Sequence, residues 1–107
     1  MRATRFAGSA PLTTASSEMA VTFELGRVVA TPGALSLFAS GVNPTDLLAR
    51  HYSGDWGDLG AFDRRENDRA LKTGERLFSA YDTPAGRVWI ITEADRFSTC
   101  VLLPEEY

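Results

Sequence analysis

The chain has 107 residues, enough for one domain with one modest core. Its hydrophobic (44%) and charged (23%) fractions are those of a folded domain, which sets aside a wholly disordered or low-complexity chain. The formal net charge is −3, and residues 1–17 contribute Arg2 and Arg5 without an acid, so nine basic and fourteen acidic residues follow them; this acidic body argues against general nucleic-acid binding, which needs cationic groups to displace counterions.

Residues 1–18 are expected to be a disordered tail, or an extension upstream of a start at Met19. The segment is rich in Ala, Ser and Thr, shows no periodicity and has no continuous apolar run of the kind a secretory signal requires. Val21 to Leu25 alternates apolar and polar, the pattern of a half-buried strand, with Gly26 as a bulge before Arg27–Ala30 continues it. Thr31-Pro32 starts a short helix, with a hydroxyl N-cap and proline at the first helical position; Gly41 ends it. Asn43-Pro44-Thr45-Asp46 starts a second helix in the same way. Leu47, Leu48, His51 and Tyr52 share a face of it, which turns His51 inward, and Gly54 stops it. Ala61 to Thr73 reads as a third helix with Gly74 as its C-cap. Its inward face carries Asp63 and Asn67, which need partners if buried. A strand from Arg76 to Tyr81, a turn at Asp82–Gly86, a strand from Arg87 to Glu93, a turn at Ala94–Phe97 and a strand from Ser98 to Leu103 form a meander that Pro104 stops. Residues 19–107 are thus expected to form a single α+β domain. Its antiparallel sheet combines the N-terminal strand with the three-stranded meander and carries about three helices on one face.

Chemistry-bearing residues concentrate in His51-Tyr-Ser-Gly-Asp-Trp-Gly-Asp-Leu59, which contains the chain's only histidine. Imidazole with the carboxylates of Asp55 and Asp58 suits a divalent metal; alternatively, His51 satisfies a helix end or a buried carboxylate and the aspartates cap turns. No cofactor is predicted from a motif, since nucleotide-loop, zinc-protease and nucleophile-elbow signatures are all absent. Trp56 is either a core plug or a stacking platform. Glu93 ends an apolar strand row with Trp89 and Ile91. It is a candidate general acid or base, or else an ion-pair partner for Arg76, Arg87 or Arg96. The single cysteine, Cys100, excludes an internal disulfide and is expected to be a buried structural thiol. No stretch approaches the ~18 apolar residues of a membrane span, so a cytoplasmic protein with no membrane partner is expected.

These motifs carry a resemblance. Gly26-Arg-Val-Val-Ala-Thr-Pro-Gly-Ala34, His51-x-x-Gly-Asp-Trp-Gly-Asp-Leu59, Asp63-x-x-x-Asn67-x-x-Ala70, Gly74-x-Arg76-x-x-Ser79-x-Tyr81, Trp89-Ile-Ile-Thr-Glu-Ala-Asp-Arg96 and Leu102-Leu-Pro-Glu-Glu-Tyr107 together resemble the small "plasmid-related" proteins of bacterial plasmids and integrative elements. The resemblance covers residues 25–107 and implies an accessory of a mobile element, without an established activity. Similar sequences place a small residue after Arg96, where Phe97 stands here. Some members are described as modification subunits of type I restriction enzymes; such a methyltransferase requires a glycine-rich cofactor turn and far more chain.

Taken together, the expected function is a non-catalytic binding module with a protein or small-molecule partner. The alternative is a small hydrolase, metal-dependent or not, acting on a phosphate-containing anion with His51 or Glu93 as base. Asp55, Trp56, Asp58, Asp63, Asn67, Arg76 and Arg96 are the candidate binding residues.

Overall fold

The computed structural model describes residues 23–107; the expectations for residues 1–18 and for the start of the Val21 strand lie outside them. In chain order the elements are β1 (Arg27–Ala30), α1 (Pro32–Ala39), α2 (Pro44–Tyr52), α3 (Ala61–Thr73), β2 (Leu77–Thr83), β3 (Gly86–Thr92), β4 (Ser98–Leu102) and a closing 3-10 turn (Pro104–Glu106). The expected α+β domain with its three helices is present. Local chemistry accounts for the helix starts. The Thr31 hydroxyl accepts the Ala34 N–H, the Asn43 side-chain Oδ1 accepts the Thr45 N–H, and a proline follows each cap. Gly74, in the left-handed conformation, ends α3.

The sheet order is β1-β4-β3-β2. It departs from the expected all-antiparallel arrangement: β1 runs parallel to β4, while the meander β2-β3-β4 is antiparallel. The reason is topological. The three helices return the chain to the end of the sheet where β1 began, so β2 repeats the direction of β1 and the third meander strand recovers it. Among the described residues the expected N-terminal strand begins only at Arg27, because Gly26 turns the chain with φ +67.

One face of the sheet is covered by helices. Tyr81, Val88, Ile90 and Val101 pack with Ala34 of α1 and Leu47 of α2, and Leu77 packs with Ala70 of α3, Trp56 and Phe23. The opposite face carries Val29, Cys100, Ile91 and Phe78 in one cross-strand row and Leu102, Trp89 and Ala80 in the next. Cys100 is only half-buried on that face, not the enclosed thiol expected, and its pKa is raised mainly by burial.

The two edges differ. The outer edge of β2 is engaged at Phe78, Ala80 and Asp82. The Phe78 N–H donates to Asn67 Oδ1 at 3.0 Å, and the Asn67 amide donates back to the Phe78 carbonyl at 2.5 Å. The Ala80 N–H donates to the Trp56 carbonyl, the Asp58 N–H to the Ala80 carbonyl, and the Asp82 N–H to Asp58 Oδ2. Along β1, Arg27 and Thr31 direct their N–H groups to β4, at the carbonyls of Phe97 and Val101. The alternating Val28 and Ala30 amides therefore point outward, with no partner among the described residues.

Candidate functional site

The dense stretch from His51 to Leu59 divides among several jobs. His51 occupies the last turn of α2, four residues after Leu47, and both are buried. Its ring lies in the core with 0% exposure, edge-on to Phe23 at 5.3 Å and to Trp56 at 5.8 Å. Nδ1 is 2.6 Å from the Ser79 hydroxyl and Nε2 is 2.9 Å from the Thr92 hydroxyl. Thr92 continues to Thr99 at 2.7 Å, and Thr99 donates to the Leu25 carbonyl at 2.7 Å. That carbonyl fixes every proton in the chain. Thr99 must donate to it, so Thr99 accepts from Thr92, Thr92 accepts from Nε2–H, and the bare Nδ1 accepts from Ser79. Burial, reinforced by the Arg96 charge, lowers the imidazole pKa to about 3, so the neutral tautomer is the working one. A hydroxyl donating to imidazole is also how a nucleophile is activated. Here Ser79 and Thr92, like His51, have no exposed surface, which leaves no room for a substrate beside either ring nitrogen.

Asp55, Trp56 and Asp58 form the loop after α2. The Asp55 carboxylate receives Arg50 at 2.7 and 3.3 Å and the Gly57 N–H at 3.0 Å. The Arg50 bond is the main cause that lowers its pKa. Its main-chain carbonyl accepts from the Tyr81 hydroxyl at 2.6 Å, and burial pushes that phenol's pKa up to about 12. Trp56 is a core plug, 3% exposed, with its indole N–H on Asp68. Asp58 serves the β2 edge. The three candidate metal ligands therefore do not converge, and among the described residues no group of three His, Cys, Asp or Glu side chains is placed to hold a metal ion.

Asn67 is buried as expected, but it pairs with the β2 backbone and not with the loop. Asp63 is exposed in the first turn of α3 and joins no network; Asp68 makes the contact to the loop instead, through the Trp56 indole. Arg96 is an internal clamp. With φ +62, it sends its guanidinium to the carbonyls of Glu75 (2.8 Å), Glu93 (3.1 Å) and Ala70 (3.2 Å), tying the β3–β4 turn to the end of α3. A cation here also meets the negative end of the helix. Replacing Arg96 with Met is expected to cost about 2–3 kcal/mol, since three charge-assisted bonds are lost at once. Urea denaturation at neutral pH measures this. Arg96→Lys should recover under half of the loss, because one ammonium cannot match the planar fork.

Arg76 and Glu93 stand apart, on the face without helices. They form an ion pair at 3.3 Å with both side chains about half exposed, so Glu93 is an ion-pair partner at the strand end and lacks the apolar enclosure expected of a tuned acid. Arg76 Nη1 also donates to the Tyr107 hydroxyl at 2.9 Å. Beside them, Phe78 and Trp89 meet edge-to-face at 4.9 Å, and Trp89 meets Tyr107 at 5.7 Å. Arg76, Phe78, Trp89, Ile91 and Tyr107 line an open cleft of about 270 Å³. The strand alternation held a signal for this cleft that was missed. Phe78, Trp89 and Ile91 alternate with the helix-facing residues and so form an apolar second face of the sheet.

Comparison with known proteins adds no relative: no family model, curated protein or solved structure matches the chain. Among the described residues no helix is long and apolar enough to cross a membrane.

Proposed function

We propose that this protein is a non-catalytic interaction module, an accessory of a mobile element as its resemblance to the plasmid-related proteins implies, and that it binds through the helix-free face of its sheet. One observation carries the binding face: a ring-lined cleft lies open on it, whereas His51, Asp55, Trp56, Asp58, Asn67 and Arg96 are all engaged within the fold. Networks in which every polar partner is satisfied fix one core arrangement, and they suit scaffolding better than turnover. The location, cytoplasmic, belongs to the same proposal.

The test is a hydrolysis screen of the full chain on phosphate and carboxylate esters, with and without divalent metal. His51→Gln and Glu93→Gln are run alongside. The expected result is no turnover above buffer in any of the three proteins. Turnover that vanishes in either variant would replace the interaction module with a hydrolase.

A further inference from the structure

The free edge of the sheet is complementary to itself. Strand β1 is the outer strand beside β4, and its Val28 and Ala30 amides point away from the sheet, with no partner among the described residues. Between them, Val29 lies on the helix-free face in the row of Cys100, Ile91 and Phe78, and it is 40% exposed. The two ends of the edge carry opposite charge. Arg27 opens the strand. Just past its other end, Thr31 donates its hydroxyl to the Glu106 carboxylate, which also accepts the Gly33 and Leu103 N–H groups. Arg27 and Glu106 are both exposed, and neither has an ion-pair partner among the described residues.

We infer that two copies of this chain pair β1 with β1 about a two-fold axis at Val29, joining their four-stranded sheets into one. A two-fold axis reverses the strand, so the pairing is antiparallel and must set outward amides opposite outward amides. With Val29 opposite Val29 of the second copy, Val28 faces Ala30 and Ala30 faces Val28, and each of these pairs exchanges both hydrogen bonds. An axis at Val28 or at Ala30 would satisfy fewer of them. The Val29 side chains then meet at a position without hydrogen bonds, where facing side chains come closest, and cover each other. In the same register Arg27 falls opposite Thr31 of the second copy, where Glu106 is held, and symmetry repeats that charge pair at the other end. Such pairs fix register more than they add affinity. A foreign strand would have to match both the amide alternation and the reversed order of charge, whereas a second copy matches them by symmetry. The inference does not depend on the ring-lined cleft being a binding site.

Sedimentation equilibrium of the full chain is expected to show a monomer–dimer equilibrium, with Kd between about 1 µM and 1 mM, as suits a contact of one short strand per copy. In amide spectra of the ¹⁵N-labelled chain, the Val28 and Ala30 signals should move with the dimer fraction. That of Ala80, already bonded to the Trp56 carbonyl at the far edge, should stay in place. Val29→Lys sets like charges face to face, and Arg27→Glu sets an acid against Glu106; each should weaken the dimer at least about tenfold. Both positions are exposed, so the urea midpoint of either variant should stay near that of the wild type. If a variant fails to fold, the wild-type amide signals decide. A chain still monomeric at about 1 mM would overturn the inference. So would a dimer that leaves Val28 and Ala30 unmoved or survives both substitutions, since its interface would lie elsewhere. Val28 and Ala30 amides already slow to exchange in the monomer would overturn it too, because another strand would hold the edge. A dimer weakened by Val29→Lys but not by Arg27→Glu would overturn the register.

Discussion

Acidification from pH 7 to 4.5 is expected to destabilise the protein by about 3 kcal/mol, and His51→Gln is expected to abolish the part of that loss lying above pH 5. In the unfolded chain His51 takes a proton near its ordinary value of 6.5, and in the folded chain only near 3. Between those values the unfolded state holds the extra proton. Stability is therefore complete above pH 6.5 and falls with pH through the window, by about 1.4 kcal/mol for each unit. Because the chain contains a single histidine, no other side chain of ordinary pKa titrates between 6.5 and 5. The carboxyls of Asp55 and Glu106 are held below their ordinary 3.8 and 4.5, so their contribution to acid unfolding begins lower. Urea midpoints at half-unit pH steps measure the slope. A wild-type profile that is flat from 6.5 to 5 would mean that the imidazole is solvated. At neutral pH, His51→Ala is expected to cost about 3–5 kcal/mol, combining a cavity with two core hydroxyls left without their partner.

The second large effect belongs to Gly57→Ala, about 3–4 kcal/mol. Gly57 sits at φ +78 with its backbone bridged to Ala80. An added Cβ would overlap the Ala80 carbonyl oxygen and come within 2.6 and 2.8 Å of Tyr81 ring carbons. The loop would have to lift off β2, losing the hydrogen bonds of Trp56 and Asp58 to Ala80. Gly54 supplies the control. It has φ +88, but nothing lies within 4 Å of its added Cβ. Gly54→Ala should cost only the backbone strain, about 1 kcal/mol. Denaturation curves of the two variants separate strain from overlap; equal losses would mean that the loop does not hold the edge of β2.

Much of the fold was legible because it is written in local chemistry. Thr31-Pro32, Asn43-Pro44 and Gly74 mark helix limits that depend on their immediate neighbours alone. Period-two alternation likewise separates Val88, Ile90 and Thr92 from Trp89 and Ile91. The direction of β1 was not legible, since it depends on which end of the sheet the helices deliver the chain to. The helical spacing that turned His51 inward was sound. Its partners were beyond reach, because Ser79 and Thr92 lie 28 and 41 residues further along. The spacing on α3 misled in one respect. It placed Asp63 inward, but the stripe that packs is Asn67, Ala70 and Leu71, and Asp68 reaches the core through the Trp56 indole.

The unequal edges of the sheet limit how copies of this chain can aggregate. Fibril growth through backbone pairing requires two unsatisfied edges on each unit, one to receive a strand and one to offer the next. Here Asn67, Trp56 and Asp58 occupy the outer edge of β2, and among the described residues the four of β1 form the edge left open. Edge pairing through β1 would terminate after two molecules. The glycine loop and one asparagine thus protect the native sheet from chain growth, a safeguard that would be lost with Gly57→Ala well before the core unfolds.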